Sequence, residues 1–266
     1  MKKISEVCEM REIQLKMMDC IHHFCLENDI KYSLAFGSML GAIRHGGFIP
    51  WDDDIDIMML REDYDRFINS FNGYKSNYKV YDYRKDKEYD YAFAKVCDER
   101  TLRLEHSKVQ GLGIFIDIFP IDYYAESYDE ASKKIRKAFF LKKILIAKNF
   151  EYTQTLSLLK NLSIKFLQFI CFFVPVKTVL KQFEKLNNSQ VVKRTAFCGY
   201  LVDANSTSIL KSEIFDSYYE YNFENRKYYG IKDYDYYLKV QYGDYMTPPS
   251  KQNRTSPHDI KGMYWK

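Results

Sequence analysis

Read for where its apolar residues fall, the chain separates into three kinds of text. Over residues 5–28 the apolar positions Val7, Met10, Ile13, Met17, Ile21 and Phe24 recur at helical spacing, which predicts an amphipathic helix. Ser5 stands where it can cap that helix, and Asn28-Asp29 where they can end it. The run Tyr32 to Phe36 then predicts a strand, Met39 to His45 a short helix, and Ile55 to Leu60 a second strand. Arg61 to Phe71 reads as a helix broken by Asn72-Gly73. From Tyr78 the pattern is strand-like: Tyr78 to Tyr83, Tyr91 to Val96, Leu102 to Leu104 and Gly113 to Phe119, the last closed by Pro120.

Residues 126–198 change character, to long helical Lys/Leu/Ile/Phe text with one proline, Pro175. Phe166 to Val176 is very apolar, but about 11 residues are too few to span a bilayer. The basic positions Lys133, Lys134, Arg136, Lys137, Lys142, Lys143 and Lys148 scatter round the helical wheel, with Lys142 inside the apolar stripe. That scatter predicts a solvated helix rather than one lying in a membrane. Residues 199–266 predict a strand over Gly199 to Asp203, a tyrosine-dense segment and a helix from Asp233 to Gln241. With no internal repeat or low-complexity linker, this last third is expected to pack on the core. The pattern is therefore α/β (α+β), with a sheet-and-helix core over 1–125, a helical region over 126–198 and a C-terminal segment over 199–266.

Composition narrows the class. A chain of 266 residues with 46% hydrophobic and 29% charged content has enough apolar text for a full core. A net charge of +4 is far from a nucleic-acid-binding signature. The N-terminus, Met-Lys-Lys-Ile-Ser-Glu-Val, lacks the apolar stretch of a secretory signal. The six cysteines form no Cys-x-x-Cys pair, so reduced thiols and a cytoplasmic setting are expected. Cys20-Ile-His-His-Phe-Cys25 resembles a metal cluster only on paper, because on a helix its four candidates cannot share one face.

The candidate chemistry sits in residues 35–57. Gly37-Ser38 follows a strand and opens a helix, where glycine lets the backbone approach a phosphate and the first N–H groups and the Ser38 hydroxyl point at it. Farther on, in Trp51-Asp-Asp-Asp-Ile-Asp-Ile57, Asp54 and Asp56 fall on one strand face and Ile55 and Ile57 on the other. Two carboxylates about 7 Å apart on a strand face repel unless a cation lies between them. Oxygen ligands of this kind suit Mg²⁺ or Mn²⁺. Asp117 alternates with Ile116 and Ile118 and becomes a third carboxylate on that surface if its strand lies beside the first. Asp122, Asp52 and Asp53 rank below these three. Lys95 interrupts an apolar run, and either the site or a sheet edge would accommodate its charge.

The stretches GSMLGAIRHGGFIPWDDDIDI (37–57), REDYDRF (61–67), GIFIDIFPID (113–122) and YGDYMTPP (242–249) together resemble the LicD family. The resemblance leads one to expect Thr in many relatives where this chain has Ser38, and a hydroxyl is kept. The resemblance implies a nucleotidyltransferase-like fold and a phosphotransferase. Such an enzyme moves phosphocholine, or a related alcohol phosphate, from CDP-choline or another CDP-alcohol to a sugar hydroxyl, releasing CMP. It implies a glycan acceptor such as teichoic acid or lipopolysaccharide, lipid-linked, with at most peripheral contact at the inner membrane face and no nucleic acid. It places catalytic, metal-holding carboxylates at Asp54, Asp56 and Asp117, with Gly37, Ser38, Arg44 and Lys95 binding the donor. It also suggests that the C-terminal tail folds back so that Arg254 and His258 touch the diphosphate. The competing expectation is a nucleotidyltransferase moving NMP from an NTP with pyrophosphate release, since the same carboxylates serve either outcome.

Overall fold

The computed structural model describes residues 1–74, 77–105, 111–149, 158–186, 193–254 and 260–266. In chain order a strand β1 (Lys2–Lys3) precedes helix α1 (Val7–Glu27), then come β2 (Ser33–Leu34), α2 (Phe36–His45), β3 (Asp56–Leu60) and α3 (Arg61–Ser70). Strands β4 (Tyr78–Tyr81), β5 (Ala94–Asp98), β6 (Thr101–Glu105) and β7 (Phe115–Ala125) follow, then helices α4 (Tyr128–Asn149), α5 (Leu158–Ile170) and α6 (Val176–Leu186). The last part holds β8 (Phe197–Gly199), β9 (Leu210–Lys211), the pair β10 (Tyr218–Phe223) and β11 (Arg226–Ile231), α7 (Tyr234–Tyr242) and β12 (Ile260–Trp265).

The main sheet is mixed, in the order β2-β3-β7-β5-β4. β3 and β7 run parallel, while β5 is antiparallel to β7 and β2 is antiparallel to β3. β8 continues the pairing along the far half of β7, and β9 lies beside β8. The apolar halves of the alternating strands form the core: Ile57, Val96 and Ile118 have no exposed surface. Helix α1 lies against β7 and β5, and α3 against β3 and β7. β12 pairs with both β1 and β6, and the β10–β11 hairpin packs on α2 and β2.

Several boundaries differ from the pattern reading: Tyr91 to Val96 becomes Ala94–Asp98, Tyr32 to Phe36 shortens to Ser33–Leu34, and α1 is flanked at its start by Glu6 rather than capped by Ser5. Three more have a local reason. β7 does not end at Pro120 but runs to Ala125. Asp117 donates its N–H toward β3, to the Ile55 carbonyl at 3.1 Å, so by alternation Pro120 turns its ring nitrogen to the other edge. There β5 has stopped pairing at Ile118 and β8 starts only at Asp122, so no ladder bond is lost. β4 stops at Tyr81 because Asp82 turns the chain, its carboxylate accepting from Arg84 N–H at 2.9 Å. The strand expected over Gly199 to Asp203 is instead Phe197–Gly199. Gly199 adopts φ +153°, and a Cβ there would stand 1.8 Å from the Ser208 carbonyl oxygen, so the chain turns away at a position that only glycine fits.

Candidate active site

Asp56 opens β3 and Asp117 is its register partner on β7, so the two carboxylates stand side by side on one face of adjacent parallel strands. Asp54 lies in the extended approach to β3, outside the strand itself. Asp52, Asp53 and Asp54 each bring a carboxylate oxygen within 4.8 Å of the others. That close group takes in Asp52 and Asp53, which the sequence pattern ranks below Asp54, and not Asp56 or Asp117; Asp53 also faces Arg103, with Nη2 3.6 Å from its Oδ2.

The electrostatics are those of a buried acidic cluster. Asp56 is held well above the usual carboxylate range, first by burial and then by Asp54, Asp117 and Asp52, with Lys95 pulling weakly the other way. Asp117 is paired with Lys95, its register partner across β5, and both are buried. Burial works against the Lys95 charge, but Asp117, with Tyr91 adding, outweighs it and leaves the ammonium pKa raised. Three rings surround that ammonium: Phe115 at 3.4 Å, Tyr91 at 5.0 Å and Phe93 at 5.2 Å from Nζ to centroid. The two placements open for Lys95 therefore resolve toward the site.

The opening of α2 is stitched to the same spot. Ala35 donates its N–H to the Asp56 carbonyl at 2.9 Å, and Asp56 donates its own to Ser38 Oγ at 2.8 Å. Accepting that bond leaves the Ser38 hydroxyl proton for another acceptor, and the N–H groups of Gly37 and Ser38 belong to the first turn, which has no intrahelical partners. A Cβ on Gly37 would lie 2.4 Å from Asp52 Oδ2, so what this glycine admits in the structure is a carboxylate. Phe36, at φ +41°, carries the backbone strain of the turn. It is held there by an N–H bond to Tyr237 Oη at 2.9 Å and by packing on Tyr200, centroids 4.5 Å apart.

The acidic loop is braced from outside. Arg11 Nη2 donates to the carbonyls of Ile49, Pro50 and Asp52 at 2.9, 3.2 and 2.7 Å, and Gln14 Nε2 donates to the Asp53 carbonyl at 3.1 Å. At the hairpin turn, Glu224 accepts from Phe48 N–H at 3.0 Å. Asp122 serves the scaffold: Arg61 grips it bidentately at 2.7 and 2.9 Å, fixing α3 to β7.

A basic rim stands beside the carboxylates. Arg44, at the end of α2, donates to the Tyr245 carbonyl at 2.6 Å, so the C-terminal tail does return to this helix. The Arg254 guanidinium lies 5.1 Å from the Trp51 ring centroid, next to the acidic loop. Burial lowers the pKa of Arg44 and Arg254 lowers it further; burial, Arg44 and Arg254 together lower that of His45. His258 lies outside the described residues. Tyr242, which sequence reasoning passed over among 24 tyrosines, faces the site. Its hydroxyl pKa is raised first by burial, then by Tyr237, Asp56, Asp52 and Asp54. Gln14 left a signal, a polar residue inside the apolar face of α1; Tyr242 opens the family-like stretch 242–249 without standing out in it, and Arg11 left none.

The donor set fits a hard divalent cation: oxygen ligands only, converging carboxylates at Asp52, Asp53 and Asp54, and beside them Asp56, whose pKa burial and its acidic neighbours raise. Such an arrangement can hold a cation against a phosphorylated ligand, with N–H groups on one side and guanidinium groups on the other.

Residues 29–163 match the model of the family described as LicD/FKTN/FKRP, nucleotidyltransferase domain. The chain is 30% identical to the lipopolysaccharide cholinephosphotransferase LicD of Haemophilus influenzae, over 99% of both chains. It is 53% identical over 34 residues to the human ribitol 5-phosphate transferase FKRP, covering 13% of this chain and 7% of that protein. An end-to-end relative and a family model spanning half of the residues lead to one conclusion: this chain belongs to the LicD family.

Proposed function

We propose that the protein transfers phosphocholine, or a related alcohol phosphate, from a CDP-activated donor to a sugar hydroxyl of a cell-surface glycan precursor, with release of CMP. The observation that carries this reading is the pairing of Asp56 with Asp117 across adjacent strands, beside the opening of α2 and next to the carboxylate group Asp52, Asp53 and Asp54. The relatives support its chemical class: one is named as a cholinephosphotransferase and the other as a ribitol 5-phosphate transferase.

The roles follow from position. Gly37 and Ser38 present N–H groups and a hydroxyl to the donor diphosphate. Arg44 and Arg254 meet its outer oxygens from the rim. Asp54, Asp56 and Asp117, with Asp52 and Asp53, would hold Mg²⁺ or Mn²⁺. That ion would neutralise charge on the diphosphate and the departing nucleotide. Lys95 pairs with Asp117 and orients it, so that Asp117 can take the proton of the attacking sugar hydroxyl.

The test uses the full chain with Mg²⁺ and a glycan acceptor, offered CDP-choline labelled in either half or CTP. The expected result is CMP release with choline label on the acceptor, lowered about a hundred- to a thousandfold in Asp56→Asn. Pyrophosphate release from CTP, with CDP-choline left intact, overturns the reading in favour of nucleotidyl transfer.

A further inference from the structure

The helices beyond β7 leave an apolar surface uncovered. Along α5, Leu159, Leu162, Phe166 and Phe169 stand at steps of three and four residues and are between 53% and 80% exposed. The stripe continues into the turn after α5, where Phe173 is 89% exposed. Scattered surface leucines need no explanation, but a continuous aromatic stripe does. Nor is α5 loose: Gln168 Nε2 donates to the Ala147 carbonyl and Lys148 Nζ to the Cys171 carbonyl, both at 2.7 Å, tying it to α4.

Charge accompanies the stripe. Helices α4, α5 and α6 hold 12 lysines and arginines against 3 acidic residues, an excess of 9 in a chain whose net charge is +4. Four of these cations, Lys133, Arg136, Lys137 and Lys185, line a groove of about 600 Å³ between α4 and α6, together with Phe140 and Leu141. The sequence pattern predicted a solvated helix because the cations scatter round α4. In three dimensions the most exposed apolar stripe lies on α5, which also carries Lys160 and Lys165, while the groove cations lie on α4 and α6.

We infer that this face docks on an anionic phospholipid bilayer, the α5 aromatics entering the boundary between headgroups and acyl chains while the α4 and α6 cations meet lipid phosphates. A second copy of the chain is disfavoured as the occupant, because it would bring the same excess of positive charge. Among the described residues no helix is long and apolar enough to cross a membrane, so the helices would lie on the surface. The inference goes beyond the transfer reaction and stands whether or not that reaction is the one proposed.

The experiment is vesicle flotation of the full chain, with phosphatidylcholine alone and with phosphatidylcholine–phosphatidylglycerol mixtures. Binding is expected to the anionic mixture and to weaken as salt is raised to about 0.5 M. Replacing Phe166, Phe169 and Phe173 together by Ser is expected to weaken it by about tenfold or more. Replacing the four groove cations by Gln is expected to abolish the preference for the anionic mixture. Far-UV circular dichroism shows whether each variant keeps its fold. Absence of wild-type binding, or equal binding by wild type and folded variants, overturns the inference. So does a wild-type dimer in sedimentation that the Phe variant dissolves while neither protein floats.

Discussion

Two regions of this molecule invert each other. Where β3, β5 and β7 meet, charged groups are inside: Asp56, Asp117 and Lys95 are 9%, 6% and 3% exposed. On α5 and the turn after it the aromatics are outside, with Phe169 80% and Phe173 89% exposed. Each region breaks the ordinary rule that apolar groups go in and charges stay out, and each break costs stability unless something else is present. A buried carboxylate cluster calls for a cation, and an exposed aromatic stripe calls for an apolar surface. Departures from good patterning are therefore the places to look for ligands.

The comparison can be broken most forcefully at the buried ion pair. Asp117→Ala leaves Lys95 charged and unpaired in an aromatic enclosure, and about 3–5 kcal/mol of stability is expected to go. Lys95→Met with Asp117→Leu should restore most of it in urea unfolding, though not activity. Recovery of no stability in the double variant would mean that the pair is not what the single variant lost. One residue type then sharpens the contrast. Phe67, with no exposed surface on α3, should cost about 3–5 kcal/mol on replacement by Ala. Phe166→Ala, on the open stripe, should stay within about 0.5 kcal/mol of wild type in the same assay. Equal losses would show that the stripe is packed in solution.

The smallest effect supplies a control for pH. His22 touches Tyr32 Oη at 2.7 Å, away from the carboxylates, and burial lowers its pKa below 6.5. The unfolded chain therefore takes up a proton at His22 more readily than the folded one. Its contribution is fully present above about pH 6.5 and fades as the pH falls through the lower folded value. His22→Gln should flatten the drop in Tm between about pH 7 and pH 5 by a degree or so, measured by circular dichroism. An unchanged slope would assign acid sensitivity elsewhere.

Much of this site could be read along the chain, and the reason is alternation. Asp56 between Ile55 and Ile57, and Asp117 between Ile116 and Ile118, each mark a polar residue on a strand with an apolar back. Their pairing needed only that the two strands be neighbours. Lys95 was conspicuous for the same reason, yet its direction waited on the register of β5. Other parts depend on contacts between distant segments, which leave no periodic trace. Arg11 sits on the polar side of an amphipathic helix, where arginine is unremarkable, and Tyr242 is one tyrosine among 24. The membrane-like text of 166–176 was visible, but which neighbours would cover it depends on how α4, α5 and α6 stack. Pro120 misled because the edge it faces carries no partner at that point.

The three carbonyls collected by Arg11 have a genetic consequence. A single guanidinium beyond the reacting groups keeps the acidic loop in shape, so losing it should silence the enzyme as thoroughly as losing a carboxylate. A screen that scores survival alone will therefore file scaffold and chemistry under one phenotype.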